Sequence, residues 1–272
     1  MARPFQPFEP HGRGGPRIGE IPLRLLVPNL ITVLAICAGL SGIRLAFEER
    51  FETAVLMVLI AAFLDGIDGR LARMLKASSR FGAQMDSLAD IVNFGVAPAF
   101  VLYLYLLKMA APFGWIAVLV FTIASGLRLA RFNVLDEDIS RPAWQGEYFV
   151  GVPAPAGAVL VMLPIYLGFL GIERGREFAF IGSAFAFLVA FLLVSRLPVY
   201  SGKKIRIGRD KAVPLIFAVV LFVLLLVNYT WQTISVAALG YLVFLPLSAR
   251  AYSRRARLEE AAQATATGEG AQ

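Results

Sequence analysis

The sequence predicts an all-α integral membrane protein, a bundle of about eight transmembrane helices with both termini cytoplasmic. Three observations carry that reading. Hydrophobic residues make up 58% of the 272 and charged residues 17%, with a mean hydropathy of +0.70, whereas a soluble domain sits near roughly 45–50% apolar and about 25% charged. Apolar stretches of spanning length, about 20 residues, recur along the chain. Lys and Arg then fall almost wholly on one side of the topology those stretches define.

The stretches run over 27–47, 51–75, 82–107, 113–134, 152–171, 178–195, 213–229 and 231–249, the last two parted by a tight polar turn at 228–232. Residues 1–26 form a Gly/Pro/Arg-rich leader without the apolar core of a cleaved signal. Residues 27–250 read as one membrane domain, with no solenoid-period repeat and no long polar insert. Residues 251–272 are basic, then small and polar (EEAAQATATGEGAQ), and predict a disordered tail. With the N-terminus inside, 21 of the 26 Lys and Arg are cytoplasmic; only Arg44, Arg50, Lys108, Arg174 and Arg176 lie across the membrane. Six of the 21 sit in the loop 196–211, which could gather anionic lipid or serve topology alone.

Composition also excludes several chemistries. Cys37 lies in an apolar stretch, so there is no disulfide framework or thiolate metal site, and a small buried hydrophobe is expected there. His11, the one histidine, stands in the leader, which leaves acid–base chemistry to carboxylates. The net charge of +7 is explained by loops facing anionic headgroups and calls for no nucleic acid. Trp115, Trp144 and Trp231 fit interfacial anchoring.

Charge inside a span is costly, about 2.5–3.5 kcal/mol near a helix centre, and it is concentrated in the second and third stretches. The second ends LDGIDGRLARML, placing Asp65, Asp68, Gly69, Ala72 and Arg73 at offsets 0, +3, +4, +7 and +8, on one helical face. The third begins FGAQMDSLAD, placing Gly82, Asp86 and Asp90 at 0, +4 and +8. A short connection makes these antiparallel neighbours, so four carboxylates converge at the cytoplasmic end. Like charges in an apolar setting either take up protons or hold cations. Hard oxygen ligands at this density suit Mg²⁺ or Mn²⁺, with Ca²⁺ open. The small residues let a flat ligand approach, and Arg73 offers a forked donor to phosphate. Two other readings stay open at this level: interfacial acids paired with nearby arginines, and an ion or proton pathway.

The pattern Asp65-x2-Asp68-Gly69-x2-Ala72-Arg73-x8-Gly82-x3-Asp86-x3-Asp90 resembles the CDP-alcohol phosphatidyltransferase family at all eight fixed positions. The resemblance implies that Asp65, Asp68 and Asp86 are ligands of a metal pair, Mg²⁺ or Mn²⁺, and that Asp90 is the general base and faces the second ion. It further implies that Gly69, Ala72, Arg73 and Gly82, with Ser78 and Ser79 in the connecting loop, contact the CDP-lipid. Pro28, Asn29 and Thr32, at the start of the first stretch, join them, although Asn29 and Thr32 also suit a helix cap.

Three further segments, 86–100, 125–134 and 148–158, resemble the serine-accepting branch of the family. They imply CDP-diacylglycerol and L-serine as substrates and CMP as product. Val152 and Asn93 depart mildly from that branch. Serine is a zwitterion, so its pocket needs a cation for the carboxylate; Arg128, Arg131 and Asn133 are the candidates, Arg128 and Arg131 sharing a face. Gly151, Pro153 and Pro155 are expected to shape a broken start to the fifth stretch. The resemblance places the enzyme in the cell (inner) membrane with its site facing the cytoplasm, and leaves room for a homodimer. The alternatives are another acceptor (glycerol 3-phosphate, inositol phosphate or choline) or a transporter.

Overall fold

A computed structural model describes residues 23–75, 79–136, 148–200 and 212–269, with side chains described through Arg254 in the last helix. The described residues are helical apart from one short ribbon and the turns between helices. In order come α1 (Leu23–Phe47), α2 (Phe51–Met74), α3 (Arg80–Asp90), a π-helical turn (Ile91–Val96), α4 (Ala97–Tyr105), a 3₁₀ turn (Leu107–Ala110), α5 (Phe113–Asp136), β1 (Tyr148–Val150), α6 (Ala154–Val161), α7 (Leu163–Phe169), α8 (Arg176–Val194), β2 (Pro198–Tyr200), α9 (Ala212–Asn228) and α10 (Thr230–Glu269). Among the described residues five helices are long and apolar enough to cross a membrane: Leu26–Phe47, Phe81–Tyr105, Phe113–Val134, Arg176–Val194 and Thr230–Arg254. The other three expected stretches are helical too. Of these, α2 carries Glu52, Asp65, Asp68, Arg70 and Arg73, while Ala154–Phe169 and Val213–Asn228 are shorter.

Hydrophobicity alone cannot tell the inner face of α1 from the outer, because the helix is apolar all round. Residue size does. Its buried positions are Pro28, Thr32, Ala35, Gly39, Gly42 and Ala46, a 4-3 spacing of mostly small residues that lets helices approach closely in lipid. At Gly42 an added Cβ would stand 3.0 Å from the carbonyl of Ala54 on α2, and α1 packs most extensively on α2. The largest buried cluster, including Ala54, Val55, Val58, Leu102, Leu106, Leu107, Tyr166 and Leu193, fills the bundle interior. A smaller one, Phe94, Leu129, Ala154 and Ala158, lies beside the π turn.

The structure corrects four expectations. Cys37 is exposed on the outer side of α1; in a membrane bundle an apolar side chain has no reason to face inward. The fifth stretch is split at Met162, because Pro164 has no N–H to continue the ladder of α6. The residues before it form a strand: β1 pairs antiparallel with β2, Tyr148 opposite Tyr200 and Val150 opposite Pro198. Finally, α10 continues to Glu269 through the segment expected to be disordered, whose Ala, Glu and Gln are strong helix formers.

Candidate active site

The two pairs of aspartates meet as their spacing requires. One carboxylate oxygen each from Asp65, Asp68 and Asp86 lies within 4.8 Å of the others. The Asp90 carboxyl lies against that of Asp65, deeper along α3. Oδ1 of Asp65 and Oδ1 of Asp68 are buried and have no hydrogen-bond donor among the described residues. Uncompensated buried carboxylate oxygens are costly, and a set of hard oxygens at this separation fits a divalent cation. Thr32 of α1 is buried, and its hydroxyl bonds Oδ2 of Asp68.

Beside the trio lies a cleft of about 390 Å³ between α1, α2 and α3. Of the nine residues expected at the CDP-lipid, eight line it (Pro28, Asn29, Thr32, Gly69, Ala72, Arg73, Ser79 and Gly82), together with Asp68 and Asp86. Ser78 lies outside the described residues. Ala83 also lines the cleft; it is silent in sequence because a small residue on an apolar helix carries no signal. Ser79 caps α3, its Oγ accepting the Gly82 N–H at 2.9 Å. Gly82 is closely packed: an added Cβ would stand 3.0 Å from Oδ1 of Asn29 and 3.1 Å from Oγ of Ser79, so those side chains would have to give way. Arg73 is exposed at the mouth, within electrostatic reach of Asp86.

The three residues expected at the acceptor make different contacts. Arg128 is 8% exposed, its guanidinium 5.4 Å from the Phe132 ring centre and within electrostatic reach of Asp90. Its Nε is buried with no acceptor, and it makes no ion pair among the described residues. Arg131 instead spends its guanidinium on backbone: Nη1 donates to the carbonyl of Val194 at 2.8 Å, and Nη2 reaches those of Val150, Leu193 and Ser195 at 3.1–3.3 Å. That strap joins the end of α5 to β1 and the end of α8. Gly151 sits under it with φ +80°, where an added Cβ would lie 2.6 Å from the Leu193 carbonyl. Asn133 donates to Oγ of Ser87 at 3.0 Å, tying α5 to α3.

Sequence reasoning missed Tyr241 of α10. Its hydroxyl is buried without a hydrogen-bond partner among the described residues, and it lies within electrostatic reach of Arg128. Asn93, in the π turn, is fully buried against Gly39, with neither amide atom hydrogen-bonded among the described residues. Nothing in the local pattern around 241 marks it.

Comparison with known proteins gives a consistent picture. The family model described as CDP-alcohol phosphatidyltransferase matches residues 25–195, and a second, CDP-alcohol phosphatidyltransferase 2, matches residues 212–246. The chain is 40% identical over 228 residues to a CDP-diacylglycerol–serine O-phosphatidyltransferase of Mycobacterium leprae, covering 82% of this chain and 74% of that one. It is 40% identical over 245 residues to that of Mycobacterium tuberculosis, covering 89% and 82%. To the Helicobacter pylori protein of the same name it is 38% identical over 183 residues, covering 66% and 74%.

Proposed function

Because the chain belongs to the CDP-alcohol phosphatidyltransferase family, we propose that it transfers the phosphatidyl group of CDP-diacylglycerol to the hydroxyl of L-serine, giving phosphatidylserine and CMP. The observation that carries the chemistry is the aspartate trio opening onto a cleft lined by Gly69, Arg73 and Gly82. The identity to serine O-phosphatidyltransferases over most of the chain supports the acceptor. Acids gathered at one end of two helices, rather than spread along the membrane depth, fit an enzyme better than a transporter.

In this reading Asp65, Asp68 and Asp86 hold Mg²⁺ or Mn²⁺, two ions with Asp90 facing the second, in keeping with a family that is generally divalent-metal dependent. Bound there, the cations supply charge neutralisation to the pyrophosphate. Pro28, Asn29, Gly69, Ala72, Ser78, Ser79 and Gly82 receive the CDP portion of the lipid, and Arg73 offers its fork to phosphate. Arg128, a buried cation with no ion-pair partner among the described residues, receives the serine carboxylate. Asp90 takes the proton from the serine hydroxyl. The serine oxygen bonds to the lipid-side phosphorus, the bond from that phosphorus to the CMP oxygen breaks, and CMP leaves with the electron pair.

The same reading has eight spans in the cell (inner) membrane, both termini cytoplasmic and the cleft on the cytoplasmic side. The distribution of Lys and Arg supports it. A water-soluble nucleotide head then enters from the cytoplasm while the acyl chains stay in the bilayer. An acceptor screen with CDP-diacylglycerol in detergent, following CMP release, tests the function. Serine should sustain release, and glycerol 3-phosphate, inositol phosphate and choline should not. Release with one of those and none with serine would leave the family standing and remove the serine assignment.

A further inference from the structure

Thr32 was expected at the nucleotide, yet its hydroxyl is aimed elsewhere. Oγ1 stands 2.5 Å from Oδ2 of Asp68 and 3.1 Å from the carbonyl oxygen of Pro28, in a residue only 4% exposed. A hydroxyl has one proton to give, and the shorter contact, to the acceptor that can carry charge, takes it. One oxygen of Asp68 is thereby engaged. The other, Oδ1, is buried without a donor among the described residues, and the carboxylate faces those of Asp65 and Asp86. A carboxylate pinned at one oxygen keeps one rotamer and offers its remaining lone pairs in one direction, the way partners behind a metal ligand orient it.

We propose that Thr32 is a positioning residue of the cation site: its hydroxyl holds Asp68 so that Oδ1 is presented to the cation shared with Asp65 and Asp86. The site is then built from three helices, and its affinity depends on α1 docking on α2. This rests on the metal-dependent reading above.

The test is Mn²⁺ binding to the full chain in detergent, read as loss of the free-Mn²⁺ electron paramagnetic resonance signal, without CDP-lipid or serine. Thr32→Val keeps the shape and removes the hydroxyl; it should bind Mn²⁺ about tenfold to a hundredfold more weakly, the usual cost of losing such a partner. Thr32→Ser should bind close to wild type, which a purely packing role of the γ-methyl would not give. In an Asp68→Asn background, Thr32→Val should add no further loss. If Thr32→Val fails to fold, the Thr32→Ser and Thr32→Ala pair makes the same comparison. Wild-type Mn²⁺ affinity in Thr32→Val overturns the inference, as does unchanged Mn²⁺ affinity with weakened CMP binding. Absence of Mn²⁺ binding by the wild type would instead remove the metal reading itself, and the inference with it.

Discussion

The acid side of the site, on α2 and α3, and the basic side, at the end of α5, treat their charged groups in opposite ways. On the acid side the helical spacing carries through to the structure: Asp65, Asp68 and Asp86 face one another, and two of their oxygens have no donor among the described residues. On the basic side two arginines one helical turn apart are separated in role. Arg128 is buried and makes no ion pair among the described residues, whereas Arg131 is engaged by the carbonyls of Val150, Leu193, Val194 and Ser195. Helical periodicity fixes which residues share a face; it does not fix what the rest of the chain brings to that face.

The largest expected effect bears on the acid side. Stripping divalent cations with EDTA should reduce CMP release to background, and Mg²⁺ or Mn²⁺ should restore it; full turnover in metal-free buffer would break the reading of the trio as a cation site. Next is Asp90→Asn, which should slow turnover by about 10²–10⁴, the usual cost of a lost general base, while CDP-diacylglycerol binding persists through the cleft. Unchanged single-turnover rates would take Asp90 out of the reaction.

The two arginines then sharpen the contrast. Arg128→Ala should raise the KM for serine roughly tenfold to a hundredfold, given about 1.5–3 kcal/mol for a hydrogen bond to a charged group. The KM for CDP-diacylglycerol should move little. Arg131→Ala should do the reverse of what a shared face implies, lowering the thermal unfolding temperature while shifting serine KM far less than Arg128→Ala. Equal KM effects from both would mean that the strap and the acceptor pocket are one unit. The smallest effect belongs to Cys37→Ser, where an exposed side chain outside the packed face should change stability by no more than about 0.5 kcal/mol, read by the same unfolding assay.

Much of this was legible in the sequence, and the reason is locality. The four aspartates, Gly69, Ala72, Arg73 and Gly82 all lie on two consecutive helices, so periodicity and one short connection bring them together. Asn29 and Thr32 reach them through α1, the next neighbour in the chain. What was not legible depends on long-range partners. The carbonyls that occupy Arg131 come from residues 19 to 64 positions away, and Tyr241 arrives on the last helix. The burial of Cys37 was misjudged because the soluble-protein rule that apolar means inside has no force where lipid is the solvent. The ribbon of β1 and β2 is two three-residue strands, too short for any alternation to register.

The π turn at Ile91–Val96 directly follows Asp90. A π turn holds one residue more than an α turn in the same span, so the helix running from Arg80 to Tyr105 has two segments whose angular phases are set independently. The acids face α2 in the first; Val101, Leu102 and Tyr105 face the core in the second. Removing one residue between 91 and 96 would leave an ordinary α turn in the same span, so the carboxylates and the core side chains would keep nearly their present facing. What the extra residue supplies is width: three consecutive residues, Asn93, Phe94 and Gly95, are all buried in the turn, where an α-helix turning about 100° per residue would carry one of them away from the packed side.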